Sequence, residues 1–201
     1  SYRPARPSAE TLRISKEYPV LFRLILTTGL RKSEAVSILL SDLNIKERTI
    51  MIRNAKGHKD RIISISGDMA VLLEKYQHFI KITIPEQGKW LFPAVDPSCH
   101  LSSGALGGRF NQFWNQTSCA TGWSRKPTIH SLRHTFVVIR INAWIEQGVE
   151  TSVILPYLSR HLGHKSADET FYYYHQVLES LKIIRRKDRI SPLVLPEVRM
   201  R

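Results

Sequence analysis

The feature that most constrains the fold is the stretch RTIMIRNAKGHKDRIISIS, residues 48–66, because its strand pattern interrupts a chain otherwise patterned for helices. Its first half alternates Thr49, Met51 and Arg53 with Ile50, Ile52 and Asn54, and a run of β-branched residues follows a short basic segment. A period of two and β-branched residues are typical of paired strands. The stretch therefore predicts a β-hairpin with the basic tip AKGHKDR.

Most of the remaining chain carries apolar residues at helical spacing. Gly29 and Gly148 are expected to end helices, and Thr128 is expected to cap one. Pro156 is expected in the first turn of its helix. KWLFP is predicted to be a short strand or extended piece. The helices are expected at about 9–28, 31–40, 68–82, 105–117, 128–147 and 156–162, followed by a short helix with the tyrosines and a C-terminal helix to about 187. The predicted fold class is mostly α with a small antiparallel β-sheet, an α+β domain.

The chain is expected to hold one domain with appendages. Residues 1–8, with two prolines and two arginines, are predicted to be a linker or basic arm. Residues 9–187 are predicted to form the domain, and 188–201 a C-terminal tail. Cys99 and Cys119 show no metal spacing and are expected to be free thiols in a reducing compartment.

The charge of the chain indicates its class of partner. Thirty Lys and Arg against 17 Asp and Glu give a formal net charge of +13. Such a surplus favours a polyanion, because each neutralised phosphate releases counterions. Nucleic acid is the first candidate and an anionic membrane surface is the second. No run approaches the roughly 18 apolar residues that a spanning helix requires.

Two local patterns place basic side chains at turns. TTGLRKSE puts Arg31 at a helix start with Glu34 one turn later, which a surface arginine and a carboxylate suited to the helix dipole would also show. The hairpin tip carries Lys56, Lys59 and Arg61. One interpretation of this tip is a solvated basic turn. The other is a hairpin that enters a nucleic-acid groove, with Lys56 as a proton donor.

Two further patterns place histidines and tyrosines. In TIHSLRHTF, His130, Arg133 and His134 lie at i, i+3 and i+4 and share one helix face. Zinc fits poorly, because the zincin pattern needs a Glu beside the first histidine and because an arginine on that face repels a cation. A packed histidine pair and an anion site both stay open. YLSRHLGHKSADETFYYYH contains three adjacent tyrosines, which either form an aromatic strip in a core or include one reactive phenol.

Taken together, these residue types suit a phosphodiester. Arginine pairs bidentately with phosphate oxygens, and two such forks can neutralise a pentacovalent transition state without a metal. A phenol has a pKa of about 10, so phosphate-bound arginines and a neighbouring histidine are needed to favour the attacking phenolate. The sequence shows no Asp and Glu cluster suited to Mg²⁺, which argues against a two-metal nuclease.

In their order, these motifs resemble those of the tyrosine recombinases, a family that includes phage integrases, chromosome-dimer resolvases and transposon integrases. The family pattern is an Arg in T-G-L-R-x-S-E, a hairpin Lys, H-x-L-R-H, L-G-H, and a Tyr nine residues after that last His. This chain has TTGLRKSE, AKGHKDR, HSLRH and LGH, and counting nine from His164 gives Tyr173. The resemblance covers about residues 12–187, and ILPYLSRHLGH resembles the transposon-encoded subgroup.

The resemblance implies the DNA breaking-rejoining fold and a role for each motif residue. Tyr173 would attack a DNA phosphodiester and form a 3′-phosphotyrosine, while Arg31 and Arg133 hold the non-bridging oxygens. Lys56 would protonate the leaving 5′-oxygen, and His130 would act as general acid/base near the tyrosine.

Other residues would support this set. His164 would hydrogen-bond the scissile phosphate, Glu34 would orient Arg31 or His130, and His134 would buttress its helix. The weaker candidates for DNA contact are Lys59, which is also the fallback for Lys56, together with Arg61 and His161.

The resemblance also implies partners. The chain would be a metal-independent, cofactor-free site-specific recombinase that acts on double-stranded DNA, as a homo-tetramer on DNA and as a monomer or weak oligomer alone. Its place would be the bacterial cytoplasm, on nucleoid or mobile-element DNA and not at a membrane. A DNA-clamping, core-binding domain would precede residues 1–8 and is expected to be absent here.

Two alternatives stay open. A type IB topoisomerase shares the chemistry, although the LGH context and the size of the chain favour a recombinase. A non-catalytic DNA-binding protein with a decayed site is the other, and the filled motif positions argue against it.

Overall fold

The fold is built mainly from helices around one short sheet. The computed structural model describes residues 9–55, 59–84, 86, 88–122 and 126–164. In chain order the elements are α1 (Ala9–Thr28), α2 (Lys32–Val36), β1 (Leu43–Asn44), β2 (Thr49–Ala55), β3 (Lys59–Ser64), α3 (Gly67–Thr83), α4 (Leu106–Trp114), α5 (Ile129–Glu146) and α6 (Thr151–Leu162). This composition confirms the predicted fold class.

The predicted hairpin is the β2–β3 pair, and β1 adds a third antiparallel strand beside β2. Ile50 pairs with Ile63, and Ile52 pairs with Arg61. Paired residues in an antiparallel ladder point to the same face. The three isoleucines are buried, so the face that they share with Arg61 is the inner one. The sequence did not predict β1, which is only two residues long.

The helices α1, α3 and α5 lie where the sequence predicts them, within about one residue at each end. The hydroxyl of Ser66 accepts a hydrogen bond from the backbone N–H of Met69 and caps α3. Thr128 caps α5 as predicted, and its own backbone N–H donates to the Ser131 hydroxyl at 3.0 Å. These side chains bond the N–H groups that the first turn of a helix leaves unpaired.

The predicted length of the second helix is wrong. The helix was expected to reach residue 40, but α2 ends at Val36. The Leu40 N–H instead donates to the Lys89 carbonyl at 2.9 Å, and the Leu91 N–H donates to the Ile38 carbonyl at 2.9 Å. The KWLFP stretch therefore takes over the backbone hydrogen bonds that would continue the helix.

The predicted position of Pro156 is also wrong. Because α6 begins at Thr151, Pro156 is its sixth residue and not part of its first turn. A proline has no N–H, so the helix loses the hydrogen bond that this residue would make. Pro156 itself is exposed to solvent.

The core lies around α1, whose residues Leu21, Leu24 and Ile25 are fully buried. This helix packs against α3 and α5. A smaller apolar cluster joins α5 to α6. Among the residues that the structure describes, none of the helices is long and apolar enough to cross a bilayer. The predicted linker at 1–8, the helices beyond 164 and the tail at 188–201 lie outside the described residues.

Candidate active site

Arg31 stands at the start of α2, where its guanidinium is held from two sides. Its backbone N–H donates to Glu34 Oε2 at 2.9 Å, and its Nη1 donates to Oε1 at 3.0 Å. Its Nη2 donates to the Gly163 carbonyl at 2.8 Å. These hydrogen bonds fix the position of the side chain. It retains 21% exposure, so part of it faces solvent.

Arg133 is buried in α5, where its guanidinium donates to backbone carbonyls. Its Nη1 donates to the Gly29 carbonyl at 2.6 Å, and its Nη2 donates to the Leu162 carbonyl at 2.9 Å. These carbonyls lie where α1 and α6 end, and the negative end of a helix dipole favours a cation. Arg133 thus links the C-terminal ends of α1 and α6 to α5.

His164 follows the end of α6 and approaches the same arginine. Its Nε2 lies 3.0 Å from Arg133 Nη2. A guanidinium can only donate, so Nε2 accepts and the imidazole proton is on Nδ1 in this arrangement. This contact therefore sets the tautomer of His164 and holds its ring beside Arg133.

His130 lies in the first turn of α5 and packs edge-on against His134, with ring centroids 4.6 Å apart. Partial burial lowers the pKa of His130, and the charges of His134, Arg133 and Arg31 lower it further. Burial and Arg133 likewise lower the pKa of His134. Near neutral pH, the His130 ring is therefore mainly uncharged and able to accept a proton.

Three of the predicted residues line one cavity of about 500 Å³, namely Arg31, His130 and Arg133. Lys32 from α2 and Asn111 from α4 also line this cavity. Concave sites with a few convergent polar groups are where proteins bind ligands. The sequence motifs do not predict Lys32 and Asn111 as site residues, although Lys32 stands inside TTGLRKSE.

Glu34 is shared by two arginines. Arg61 donates from Nη1 to Oε1 at 3.0 Å and from Nη2 to Oε2 at 2.9 Å, while Arg31 holds the same two oxygens. Burial acts to raise the pKa of Glu34, but the hydrogen bonds from Arg61 and Arg31 outweigh it and leave that pKa below its usual range. Glu34 is therefore ionised and bonded to Arg31, one of its two predicted partners.

Arg61 and His161, both predicted as weaker DNA contacts, face the protein. Arg61 is only 11% exposed, and its Nε donates to the His161 carbonyl at 2.8 Å. The His161 Nε2 donates to the Thr28 carbonyl at 2.7 Å, and its ring stacks on Phe136. These contacts favour internal roles over DNA contact for both residues.

A sequence profile of the phage integrase family matches residues 8–179, which is most of the 201-residue chain. The chain belongs to the phage integrase family. Tyrosine recombinase XerA of Saccharolobus solfataricus is 31% identical over 81% of this chain and 47% of its own length. The putative integrase/recombinase y4rE of Sinorhizobium fredii is 28% identical over 76% of this chain and 49% of its own length. The chain thus spans about half the length of these curated relatives.

Solved structures share the fold of this phage integrase family chain. XerH recombinase in its post-cleavage complex with palindromic difH substrate gives a TM-score of 0.67 at 20% identity, over 91% of this chain and 48% of that one. The Tn1549 transposon integrase in complex with transposon right end DNA gives 0.61 at 18% identity, over 92% of this chain and 66% of that one. At such identities the likeness concerns the fold.

The described residues hold part of the predicted site of this phage integrase family member. Lys56 and Tyr173 lie outside them, as do the neighbouring tyrosines. Lys59 begins β3, where its backbone pairs with that of Ala55. The roles of Lys56, Lys59 and Tyr173 therefore stay predictions.

Gly29 is expected to be essential to stability, because it turns the chain between α1 and Arg31. Its φ is +68°, and a Cβ there would lie 2.9 Å from Phe136 Cε1 and 3.0 Å from Leu162 Cδ2. Gly29→Ala should lower the free energy of unfolding by about 2–5 kcal/mol, from left-handed strain together with overpacking. Urea denaturation followed by circular dichroism measures this loss.

Gly148→Ala is the matched control. Gly148 has a φ of +69°, and a Cβ there would meet no described atom within 4 Å. Only the backbone strain of about 1–2 kcal/mol is then expected. Equal losses in the two variants would show that the contacts of Gly29 with Phe136 and Leu162 are unimportant.

Proposed function

We propose that this chain is the catalytic domain of a site-specific DNA recombinase that cleaves and rejoins DNA through a 3′-phosphotyrosine, without a metal. The observation that carries the proposal is the convergence of two anchored arginines, Arg31 and Arg133, with a neutral His130 on one cavity. Membership of the phage integrase family and the net charge of +13 support it.

The charge of the site suits a phosphodiester. The carboxylate of Glu34 pairs with Arg31 and Arg61, and Arg133 donates to the carbonyls of Gly29 and Leu162. Together, the guanidiniums of Arg31, Arg61 and Arg133 and the carboxylate of Glu34 have a formal charge of +2. A phosphodiester carries one negative charge and gains a second in a pentacovalent transition state, which fixed cations stabilise without reorganising.

In the proposed reaction, Tyr173 attacks the phosphorus in line with the 5′-oxygen. A bond forms between the tyrosine oxygen and phosphorus as the bond to the 5′-oxygen breaks. His130 takes the phenol proton, and Lys56 gives a proton to the leaving oxygen. The 5′-hydroxyl of a partner strand reverses these steps, so the bond energy is kept and no nucleotide cofactor is consumed.

We infer that the partner is double-stranded DNA at a specific site and that a homo-tetramer forms on it. The XerH structures contain difH substrate, and the Tn1549 integrase structures contain transposon DNA. The arginines of the site would bind the phosphate backbone, which positions a protein on DNA without reading its sequence. Base contacts would therefore come from other surfaces.

The proposal is tested by trapping the covalent intermediate. The full-length protein is incubated with EDTA and a library of nicked duplexes that are randomised around the nick. The short strand beyond the nick diffuses away after cleavage, so the adduct accumulates. An SDS-stable adduct on a recurrent sequence supports the proposal. DNA binding without an adduct indicates a non-catalytic protein, and an adduct that needs divalent metal contradicts the mechanism.

The type IB topoisomerase alternative is separated in the same system. A selected site is placed once in a supercoiled plasmid and twice in another. A recombinase exchanges strands between the two sites, whereas a topoisomerase relaxes the plasmid with one site and yields no exchanged product.

The pH dependence of cleavage is expected to report His130. Only the neutral imidazole can take the tyrosine proton, and burial with nearby positive charge lowers its pKa from the usual value of about 6.5. The midpoint of the acid limb of the rate should therefore lie below pH 6.5. Adduct formation at subsaturating DNA measures this, because it reports the pKa of the free protein.

His134→Gln provides the control for the pH profile. His134 contributes to the lowered pKa of His130. Removing this ring should move the acid limb towards higher pH and leave the plateau rate largely unchanged. An acid limb above pH 6.5 in the unmodified protein would contradict the role of His130 as the base.

A further inference from the structure

We propose that Arg61 is a positioning residue for DNA cleavage, which fixes Arg31 through Glu34 and fixes the end of α6 through the His161 carbonyl. The inference rests on the proposed function, since Arg31 is placed on the phosphate there. Arg61, an inward-facing residue of β3, would thus hold Arg31 and the end of α6 in fixed positions relative to each other.

The first contact is with Glu34. A carboxylate has about four acceptor positions. Here two are filled by Arg31, through its backbone N–H and Nη1, and two by Arg61, through Nη1 and Nη2, all at 2.9–3.0 Å. Neither arginine can therefore shift without moving the carboxylate that orients the other.

The second contact is with the turn that ends α6. Arg61 Nε donates to the His161 carbonyl at 2.8 Å, and Arg31 Nη2 donates to the Gly163 carbonyl at 2.8 Å. Gly163 has a φ of +64°, and a Cβ there would lie 2.9 Å from Arg61 Nη1 and 3.2 Å from Arg31 Nη1. Both guanidiniums thus pack against this glycine, one residue before His164.

The burial of Arg61 distinguishes positioning from catalysis. Its Nε, Nη1 and Nη2 all donate to protein oxygens, and its side chain is 11% exposed. Of the described residues, Arg31 and Arg133 line the cavity, and Arg61 does not. Its pairing with Ile52 places it on the inner face of the hairpin. Arg61 therefore acts on the phosphate only through Arg31 and the α6 turn.

Arg61→Lys is the variant for the test. An ammonium keeps the charge, but it cannot bond both Glu34 oxygens and the His161 carbonyl in the geometry of a planar fork. Single-turnover adduct formation should slow by about 10–100-fold, since a displacement near 1 Å costs about that much. The affinity for DNA should change by less than about 2-fold, because the charge remains.

Arg53→Lys is the matched control on the neighbouring strand. Arg53 forks onto the buried Asp42 with contacts of 2.6–3.0 Å, and it is not part of the proposed site. This variant loses a comparable fork and should form the adduct at a rate within about 2-fold of the unmodified protein.

Methylphosphonate substrates distinguish positioning from a general structural effect. Each diastereomer replaces one charged non-bridging oxygen by a methyl group and so removes the need for the arginine that neutralises that oxygen. The deficit of Arg31→Ala should shrink on one diastereomer, and the deficit of Arg61→Lys should shrink on the same one. If Arg61→Lys does not fold, Arg61→Gln takes its place, because its amide can still donate a hydrogen bond to Glu34, which stays paired with Arg31.

Several results would overturn the inference. Adduct formation by Arg61→Lys within about 2-fold of the unmodified rate would remove Arg61 from the positioning set. A loss of cleavage rate in Arg61→Lys that is equal on the phosphodiester and on both methylphosphonate diastereomers would separate Arg61 from the phosphate contact. The same result for Arg31→Ala would do so too, because Arg61 is proposed to act through Arg31. An unmodified protein that forms no adduct at all would instead overturn the proposed function, and the inference with it.

Discussion

Tyr173→Phe is expected to abolish the covalent protein–DNA adduct. Phenylalanine keeps the ring and removes the oxygen that would attack phosphorus, so the rate should fall by at least about 1000-fold, as is usual when a nucleophile is lost. The affinity for DNA should be unchanged, because the substitution removes no charge. The measurement is single-turnover adduct formation on a nicked duplex, alongside a binding titration at fixed salt.

The neighbouring tyrosines provide the controls for this prediction. Tyr172→Phe and Tyr174→Phe remove the same hydroxyl one position away and are expected to form the adduct. Because three adjacent residues point in different directions, at most one phenol can reach the phosphate. An adduct that survives Tyr173→Phe and disappears in one of the flanking variants would move the nucleophile to that residue.

Arg133→Ala is expected to have the second largest effect. The change removes a buried cation from the phosphate site, and losing one preorganised donor of this kind costs about 100–1000-fold in rate. It also leaves the carbonyls of Gly29 and Leu162 without their donor, which should lower the free energy of unfolding by about 2–5 kcal/mol. Adduct formation and urea denaturation measure the two losses separately.

Leu155→Ala separates the loss of stability from the loss of chemistry. Leu155 is buried in the cluster between α5 and α6, and its truncation should cost about 2–5 kcal/mol without changing the charge of the site. Assayed well below its melting temperature, this variant should retain adduct formation. An Arg133→Ala variant that cleaves as well as Leu155→Ala would contradict the role of Arg133 on the phosphate.

The parts of the fold that could be predicted from the sequence are those set by local patterns. The hairpin and α1, α3 and α5 have clear periodicity, and Thr128 and Gly29 mark helix ends by their own chemistry. The end of α2 could not be predicted in this way. It depends on hydrogen bonds between residues 38–40 and 89–91, about fifty positions apart, and apolar spacing within the helix carries no information about them.

The site shows the same division between local pattern and tertiary contact. The motifs identified Arg31, His130 and Arg133, and the structure brings these three to one cavity. The basic hairpin tip predicts Arg61 as a weaker DNA contact, because basic residues at such a tip usually face solvent. Its position two residues before the buried Ile63 is a signal that it faces inward, since alternate strand residues share a face. Its partners, Glu34 and His161, could be found only from the structure.

The most direct test of the proposed mechanism is to identify the amino acid that carries the DNA. Adduct formed in EDTA is digested with protease and nuclease, and the modified peptide is sequenced by mass spectrometry. We expect a single peptide with the DNA joined through its 3′-phosphate to Tyr173 and a free 5′-hydroxyl on the released strand. DNA attached to another residue, attachment through a 5′-phosphate, or cleaved DNA without an attached peptide would contradict the proposed mechanism.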